Sequence, residues 1–372
     1  MLASQLGTRL MLLIGESVPL PAPADVVSAI RRVEVTNDSG LGDGFQITFT
    51  LAKQAGEYGL LKGGALDPFT RVVIGVVLGA TPEVLIDGIV AHHQVVPSNL
   101  PGMSTLTVTG RDLRQMLDLE ERDEKYENQP DFVIFTSLIA NYAKFGLVPQ
   151  ATPTTDVPIE LQRIPRQHET DLRFIERMAE RNGFVFYVEP VTLGVNTAYF
   201  GPETRVGLPQ PALSVDMGPF TNVNSLSFSH DALAPVEAAG AILDPLSKQT
   251  IPTPSLPSLR LPPLATKATP AQRKVLLRDT AKQNPSQGAN TAVAAVTNAP
   301  EAVSGEGELD TSRYGSVLRA RRLVGVRGAG LSYDGNYYVR RVRHEITPGL
   351  SYSQQFTISR EGTGALLPVV RP

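Results

Sequence analysis

The sequence contains no cysteine, which excludes disulfides, thiolate metal sites and cysteine nucleophiles together and fits assembly in a reducing cytosol. Stability has to come from packing and from assembly. An excess of one charge is also missing. Lys and Arg number 34 against 37 Asp and Glu, and a net charge of −3 gives no basic field for nucleic acid or an anionic membrane as primary ligand. Long apolar runs are absent too. The run Leu10–Ile14 follows Arg9 but ends at Gly15-Glu16, too short for a signal-peptide core, and reads as a buried strand. Nothing else approaches the roughly 20 apolar residues of a membrane helix, so neither a signal peptide nor a membrane span is expected. No Gly-x-Ser-x-Gly elbow occurs, and the five histidines, His92, His93, His168, His230 and His344, stand in no triad pattern.

What is present points to strands and turns. With 372 residues the chain has room for two to three domains of about 100–200 residues, and its 32 Gly and 30 Pro imply many turns. Ile30 to Thr36 and Phe45 to Leu51 alternate around a glycine-rich connection and read as a hairpin. Arg71 to Leu78, Val84 to His92 and Ser104 to Gly110 continue a meander that closes into a barrel or sandwich. A short helix over Arg111 to Asp118, an acidic stretch to Asp131 and a helical spacing over Phe132 to Phe145 open an α+β insert. A second β region begins near Leu213. The proline-rich part from Ile251 to Pro270 is expected to be extended, Ala271 to Lys282 to form a short helix, and the Ala, Asn and Gly-rich part up to Gly307 to be flexible. Turns at Asp334-Gly335 and Pro348-Gly349 predict three closing antiparallel strands. The boundaries are therefore 1–112, 113–204 and 205–372, the last interrupted over 251–309.

The most specific segment is Gln167 to Glu189, QHETDLRFIERMAERNGFVFYVE. Thr170 is placed to cap a helix, Asp171 puts negative charge in its first turn, and Leu172, Phe174, Ile175, Met178 and Ala179 form one apolar face. Asn182-Gly183 supplies a left-handed exit into the strand from Phe184. The pattern resembles the helix and strand of the late-control-D family of contractile-phage tail hubs and of the VgrG proteins of contractile injection systems. AGAILDPLSKQTI, with Asp244 and Lys248 in its turn, and the closing run YDGNYYVRRVRHEITPGLSYSQQFTISR, with His344, are similar to further family segments in the family order. The fold signature is Thr170, Asp171, Phe174, Arg177, Glu180, Gly183, Asp244, Lys248 and His344.

The resemblance implies a mainly β protein with an α+β insert, two tube-like β-barrel domains per subunit and a homotrimeric ring. It further implies a non-enzymatic baseplate hub that joins a hexameric inner tube protein to a trimeric spike protein, among other baseplate proteins, in a phage virion or injection particle. Because the chain stops soon after its closing strands, the spike is expected to be a separate protein.

Chemistry finds little purchase, and no catalytic, cofactor or metal site is assigned. Glu176 and Glu180, one helical turn apart, are the sole support for a tail-associated cell-wall hydrolase, and the spacings of Arg173 with Glu176, Arg177 with Glu180 and Glu169 with Arg173 read instead as ion pairs on a solvated helix face or a subunit contact. A carbohydrate-binding tail component has only the β content behind it. His92-His93 points to opposite faces of a strand and does not chelate one metal. Arg319, Arg321, Arg322, Arg327, Arg340, Arg341 and Arg343 form the one basic concentration, for which contact with an acidic partner surface is the expected use.

Overall fold

The computed structural model describes residues 8–16, 18–54, 56–158, 160, 163–243, 249–252, 256–278, 283, 285–349 and 351–366. Asp244 and Lys248 of the expected signature lie outside these.

Alternation with a period of two builds the main sheet. In Ile30–Asp38, Val33 and Val35 enter the core while Arg32 and Glu34 take the other face. In Gly44–Thr50, Phe45, Ile47 and Phe49 alternate with Gln46 and Thr48. These two strands pair as the predicted hairpin. Asp38 Oδ1 fixes the turn by accepting from the amides of Gly40 and Leu41 at 2.8 and 2.9 Å, and Gly42 exits with φ of 86°, open chiefly to glycine.

The two closed β-barrels expected from the resemblance are not found among the described residues. One open sheet of 13 strands runs through both β regions. Its order along the spine is Val223–His230, Val303–Asp310, Ser351–Arg360, Gly335–Thr347, Ile30–Asp38, Gly44–Thr50, Thr105–Asp112 and Thr81–Val96, each antiparallel to its neighbour. Arg71–Leu78, Arg9–Gly15 and Leu20–Pro21 continue beyond. The regions join where Gly335–Thr347 pairs with Ile30–Asp38, Ile346 opposite Val33. Both strands carry core residues at matching alternate positions, so pairing them keeps one face apolar. Ile346 and Tyr352 of the second region accordingly pack in the core of the first.

The insert has its own core. Helices Asp131–Ala140 and Asp171–Asn182 bury Ile134, Phe135, Phe174, Ile175 and Met178 against Phe186 and Phe200 of a three-stranded sheet. In that sheet Val195–Gly201 lies between Leu147–Ala151 and Val185–Thr192. The predicted helix over Arg111 to Asp118 is a 3-10 turn, Leu113–Asp118, capped by Asp112.

Two expectations beyond residue 250 are corrected. The helix over Ala271 to Lys282 is instead a strand, Arg273–Leu277, parallel to Val236–Leu243. The segment expected to be flexible contains a helix, Pro285–Asn298, followed by the spine strand Val303–Asp310. Alanine is the strongest helix former, and the small Ala292 and Ala294 let this helix lie close to the exit of the signature helix. Composition alone read as disorder what tertiary packing orders.

Candidate functional site: a charged junction of three regions

The signature residues divide by role. Thr170 Oγ1 accepts from the Arg173 amide at 3.4 Å and so caps the helix, as expected. Asp171 is fully buried, accepting from Tyr142 Oη and Gln167 Nε2, each at 2.7 Å. Phe174 lies in the insert core, and Arg177 stacks over its ring at 5.1 Å while donating to Glu169 at 2.7 Å. Gly183 has φ of 65°, and a Cβ there would stand 3.1 Å from Ala294 Cα, so the position admits only glycine comfortably. Asn298 Nδ2 donates to the Glu180 carbonyl at 3.0 Å, tying the two helices together.

The expected pairing of Glu176 and Glu180 with Arg173 and Arg177 along the helix is not what forms. Arg177 takes Glu169, and Glu176 instead comes within 3.8 Å of Arg114. Glu176 borders a cleft of about 530 Å³ shared with Asp43, Asp112 and Arg343, and its carboxyl is raised above the ordinary value, chiefly by partial burial. Glu180 is exposed on the same helix.

His344 is fully buried with Nδ1 2.9 Å from Tyr352 Oη, and burial beside Arg319 pushes it down to about 3. It is neutral at physiological pH and serves packing.

Six of the seven arginines converge on carboxylates of this same chain. Arg321 is buried, donating to Asp43 at 3.1 Å and to the Asp38 carbonyl at 2.7 Å, and stacks 4.5 Å over Tyr187 of the insert. Arg341 and Arg343 reach Asp38 and Glu34 across the strand junction, each at 2.5 Å. Arg319 reaches Glu83, Arg322 reaches Glu189 at 3.1 Å, and Arg327 donates to Ser214 at 2.6 Å. The acidic surface they meet in the folded subunit is thus internal, and it binds the second β region to the first and to the insert.

Sequence reading missed the densest cluster. Arg205 donates to Glu301 at 2.6 Å, Glu203 at 3.1 Å and Glu361 at 3.3 Å. Arg340 joins Glu203, and Glu301 at 3.0 Å, while Arg260 approaches Glu203 at 3.3 Å. Three guanidiniums thus balance three carboxylates. Glu361 Oε1 also accepts from the Ala265 amide at 2.7 Å, which fixes the proline-rich segment. Burial raises the carboxyl of Glu301, but Arg205, Arg340 and Arg260 outweigh it and hold it at about 2. Residues spread from 203 to 361 leave no local spacing to find.

Cross-strand neighbours share a face, and on the spine one face is polar throughout these rows. Ser225, Glu308, Gln355, Arg343 and Thr36 stand in one row, and Glu345, Glu34, Gln46, Thr109 and His92 in another. The opposite face carries Leu226, Phe356, Val33, Ile47 and Val108, all turned toward the cores. Among the described residues no helix is long and apolar enough to cross a membrane.

No family model matches the sequence, and no curated protein does. Solved structures do. A tail protein from Neisseria meningitidis MC58 superposes with TM-score 0.64 at 14% identity, over 95% of this chain and 97% of that one. A 43 kDa tail protein of prophage MuSo2 from Shewanella oneidensis gives 0.61 at 12%, over 95% and 99%. An E. coli type VI secretion component with structural similarity to the T4 tail proteins gp27 and gp5 gives 0.57 at 12%, over 92% and 77%. At such identity the likeness is one of fold, and the fold of this chain is that of these phage tail proteins and of the type VI secretion component.

Proposed function

We propose that this chain is the structural hub of a contractile tail or contractile injection system, a homotrimer joining a hexameric inner tube to a trimeric spike. The main sheet carries the reading: two β regions from opposite ends of the chain meet strand to strand and share one polar face. Three subunits with two such regions each offer six similar surfaces to a six-subunit tube protein. Serine, threonine, glutamine and paired charges on that face suit a water-filled channel, which neither holds apolar cargo nor concentrates one sign of charge. The inner tube protein, the spike protein and other baseplate proteins are the proposed partners, and the virion or injection particle the proposed location. The likeness to tail proteins over nearly the whole chain supports this reading.

Light scattering on the purified chain is expected to give about three times the 40.0 kDa subunit mass. A stable monomer under assembly conditions overturns the proposal. Replacing Glu176 and Glu180 together by Gln is expected to leave that mass unchanged and to remove no wall-degrading activity. Genuine peptidoglycan cleavage by the unaltered chain, lost in Glu176→Gln/Glu180→Gln, would favour a hydrolase instead.

A further inference from the structure

The cleft beside Glu176 contains hydrogen-bond donors that the fold leaves unused. Its floor is two cross-strand rows on the polar face of the sheet, Glu34–Gln46–Thr109 and Arg343–Thr36–Gly44–Arg111. The signature helix, at Leu172 and Glu176, and the hairpin turn, at Leu41 and Gly42, form its walls. Its volume of about 530 Å³ falls within the roughly 300–1,000 Å³ of ligand-binding clefts. Three of the four carboxylates that border it are committed to the protein. Asp43 accepts from Asn37, the Asp38 amide and Arg321, Asp112 accepts from the Asp43 amide and Arg114, and Glu34 pairs with Arg32 and Arg343.

The guanidiniums are less fully engaged. Arg111 makes no side-chain hydrogen bond or ion pair among the described residues, and Gly44, its neighbour in the row, leaves the floor beside it open. The Arg114 side chain is only 8% exposed, yet its bonds run from Nε to Asp112 at 3.1 Å and from Nη1 to the Phe186 carbonyl at 3.3 Å. Its Nη2 has no partner among the described residues. That atom lies against Gly42, where a Cβ would stand 1.3 Å away, so the glycine lets this end of the guanidinium reach the cleft. Glu176, the fourth carboxylate, stops 3.8 Å from Nη1, beyond hydrogen-bond range. A buried donor without an acceptor is unfavourable, and an incoming oxyanion relieves it.

We propose that this cleft docks an acidic peptide segment of a partner protein, its Asp or Glu carboxylates accepting from Arg111 and from Nη2 of Arg114. A planar carboxylate matches the guanidinium fork. The side-chain amides of Gln46 and Gln115, which hold no hydrogen bond among the described residues, line the same cleft and suit the backbone of an extended peptide. A run of phosphates is disfavoured there, because Glu34 and Glu176 border the space and would repel it.

The cleft lies within one subunit, so the inference does not depend on the ring of the proposed function. A chain that scatters light as a monomer and still binds would overturn the ring and leave the cleft standing. The assay is fluorescence anisotropy of labelled hexaglutamate titrated with the full chain, with labelled hexathymidylate as the alternative polyanion. Hexaglutamate is expected to bind, and to bind more weakly as salt is raised. Arg111→Ala, at an exposed position, is expected to weaken binding about tenfold through loss of a charge-assisted contact. Glu176→Gln is expected to tighten it about threefold, since the carboxylate that competes for Arg114 is gone. That gain is one that loss of folding does not mimic. Absence of hexaglutamate binding by the unaltered chain overturns the proposal, as does binding that both variants leave unchanged. Hexathymidylate binding as tightly as hexaglutamate, with the same response to Arg111→Ala, assigns the cleft to nucleic acid and overturns peptide docking.

Discussion

Arg205→Ala is expected to lower the unfolding free energy by about 3–5 kcal/mol, because a buried ion pair broken from one side leaves uncompensated charge in the interior. The Arg205 side chain is 0% exposed and those of Glu203 and Glu301 are 4% and 2% exposed. With Arg205 gone, Arg340 and Arg260 face three carboxylates. Arg322→Ala is the internal comparison: its bond to Glu189 has nearly the same length, 3.1 Å, but the arginine is 57% exposed. Solvent screens that pair, and its loss is expected to cost under about 1 kcal/mol. Urea unfolding measures both, and equal costs would refute the assignment of the cluster as the main tie.

Acid adds a second readout of the same cluster. Glu301 is depressed from 4.5 to about 2 in the folded protein, so the unfolded chain takes up the proton first as pH falls. The stabilisation is complete above about pH 4.5 and is lost as pH drops toward 2, a contribution on the order of 3 kcal/mol. Glu203 is lowered as well: burial raises it, and Arg340, Arg260 and Arg205 together outweigh burial. In Arg205→Ala the slope of stability against pH through this window should flatten.

Arg321 gives the second large effect, with an added signature from the backbone. It holds φ at 63°, a left-handed conformation that costs a side-chain-bearing residue about 1 kcal/mol or more, and its pair with Asp43 fixes it there. Arg321→Ala is expected to cost about 3–5 kcal/mol, since Asp43 stays buried with only Asn37 Nδ2 and the Asp38 amide, each at 2.9 Å, as partners. Arg321→Gly loses the same pair but relaxes the backbone, and should be about 1 kcal/mol less damaging. Adding Asp43→Asn should recover part of the loss by removing the orphaned charge, a coupling that a double-mutant cycle reads directly. If Ala and Gly are equivalent, the strain argument fails. If the double variant adds the two losses, the pairing argument fails.

Local chemistry in the sequence carried the elements well. The Thr170 cap, the Gly183 exit, the Asn37–Gly44 hairpin and the closing strands all depend on residues within a few positions of one another. Reading went wrong where long-range packing overrides composition. The helix Pro285–Asn298 is ordered by lying against the signature helix, and Arg273–Leu277 becomes a strand because Val236–Leu243 offers it an edge. The arginine concentration was visible, but not its direction. Arginine on an alternating strand faces solvent or a carboxylate equally well, and only the position of Asp38, Asp43, Glu203 and Glu301 in space decides which.

The sequence by itself determined that strands dominate, that no disulfide contributes, and that a capped helix and glycine exit mark the insert, since each follows from nearest-neighbour sterics and periodicity. Only the tertiary structure decided that the two β regions form one sheet and that balanced ion clusters tie it to the insert. Strand pairing between residues some 300 positions apart depends on which edges and faces come together, and that information is spread over the whole chain.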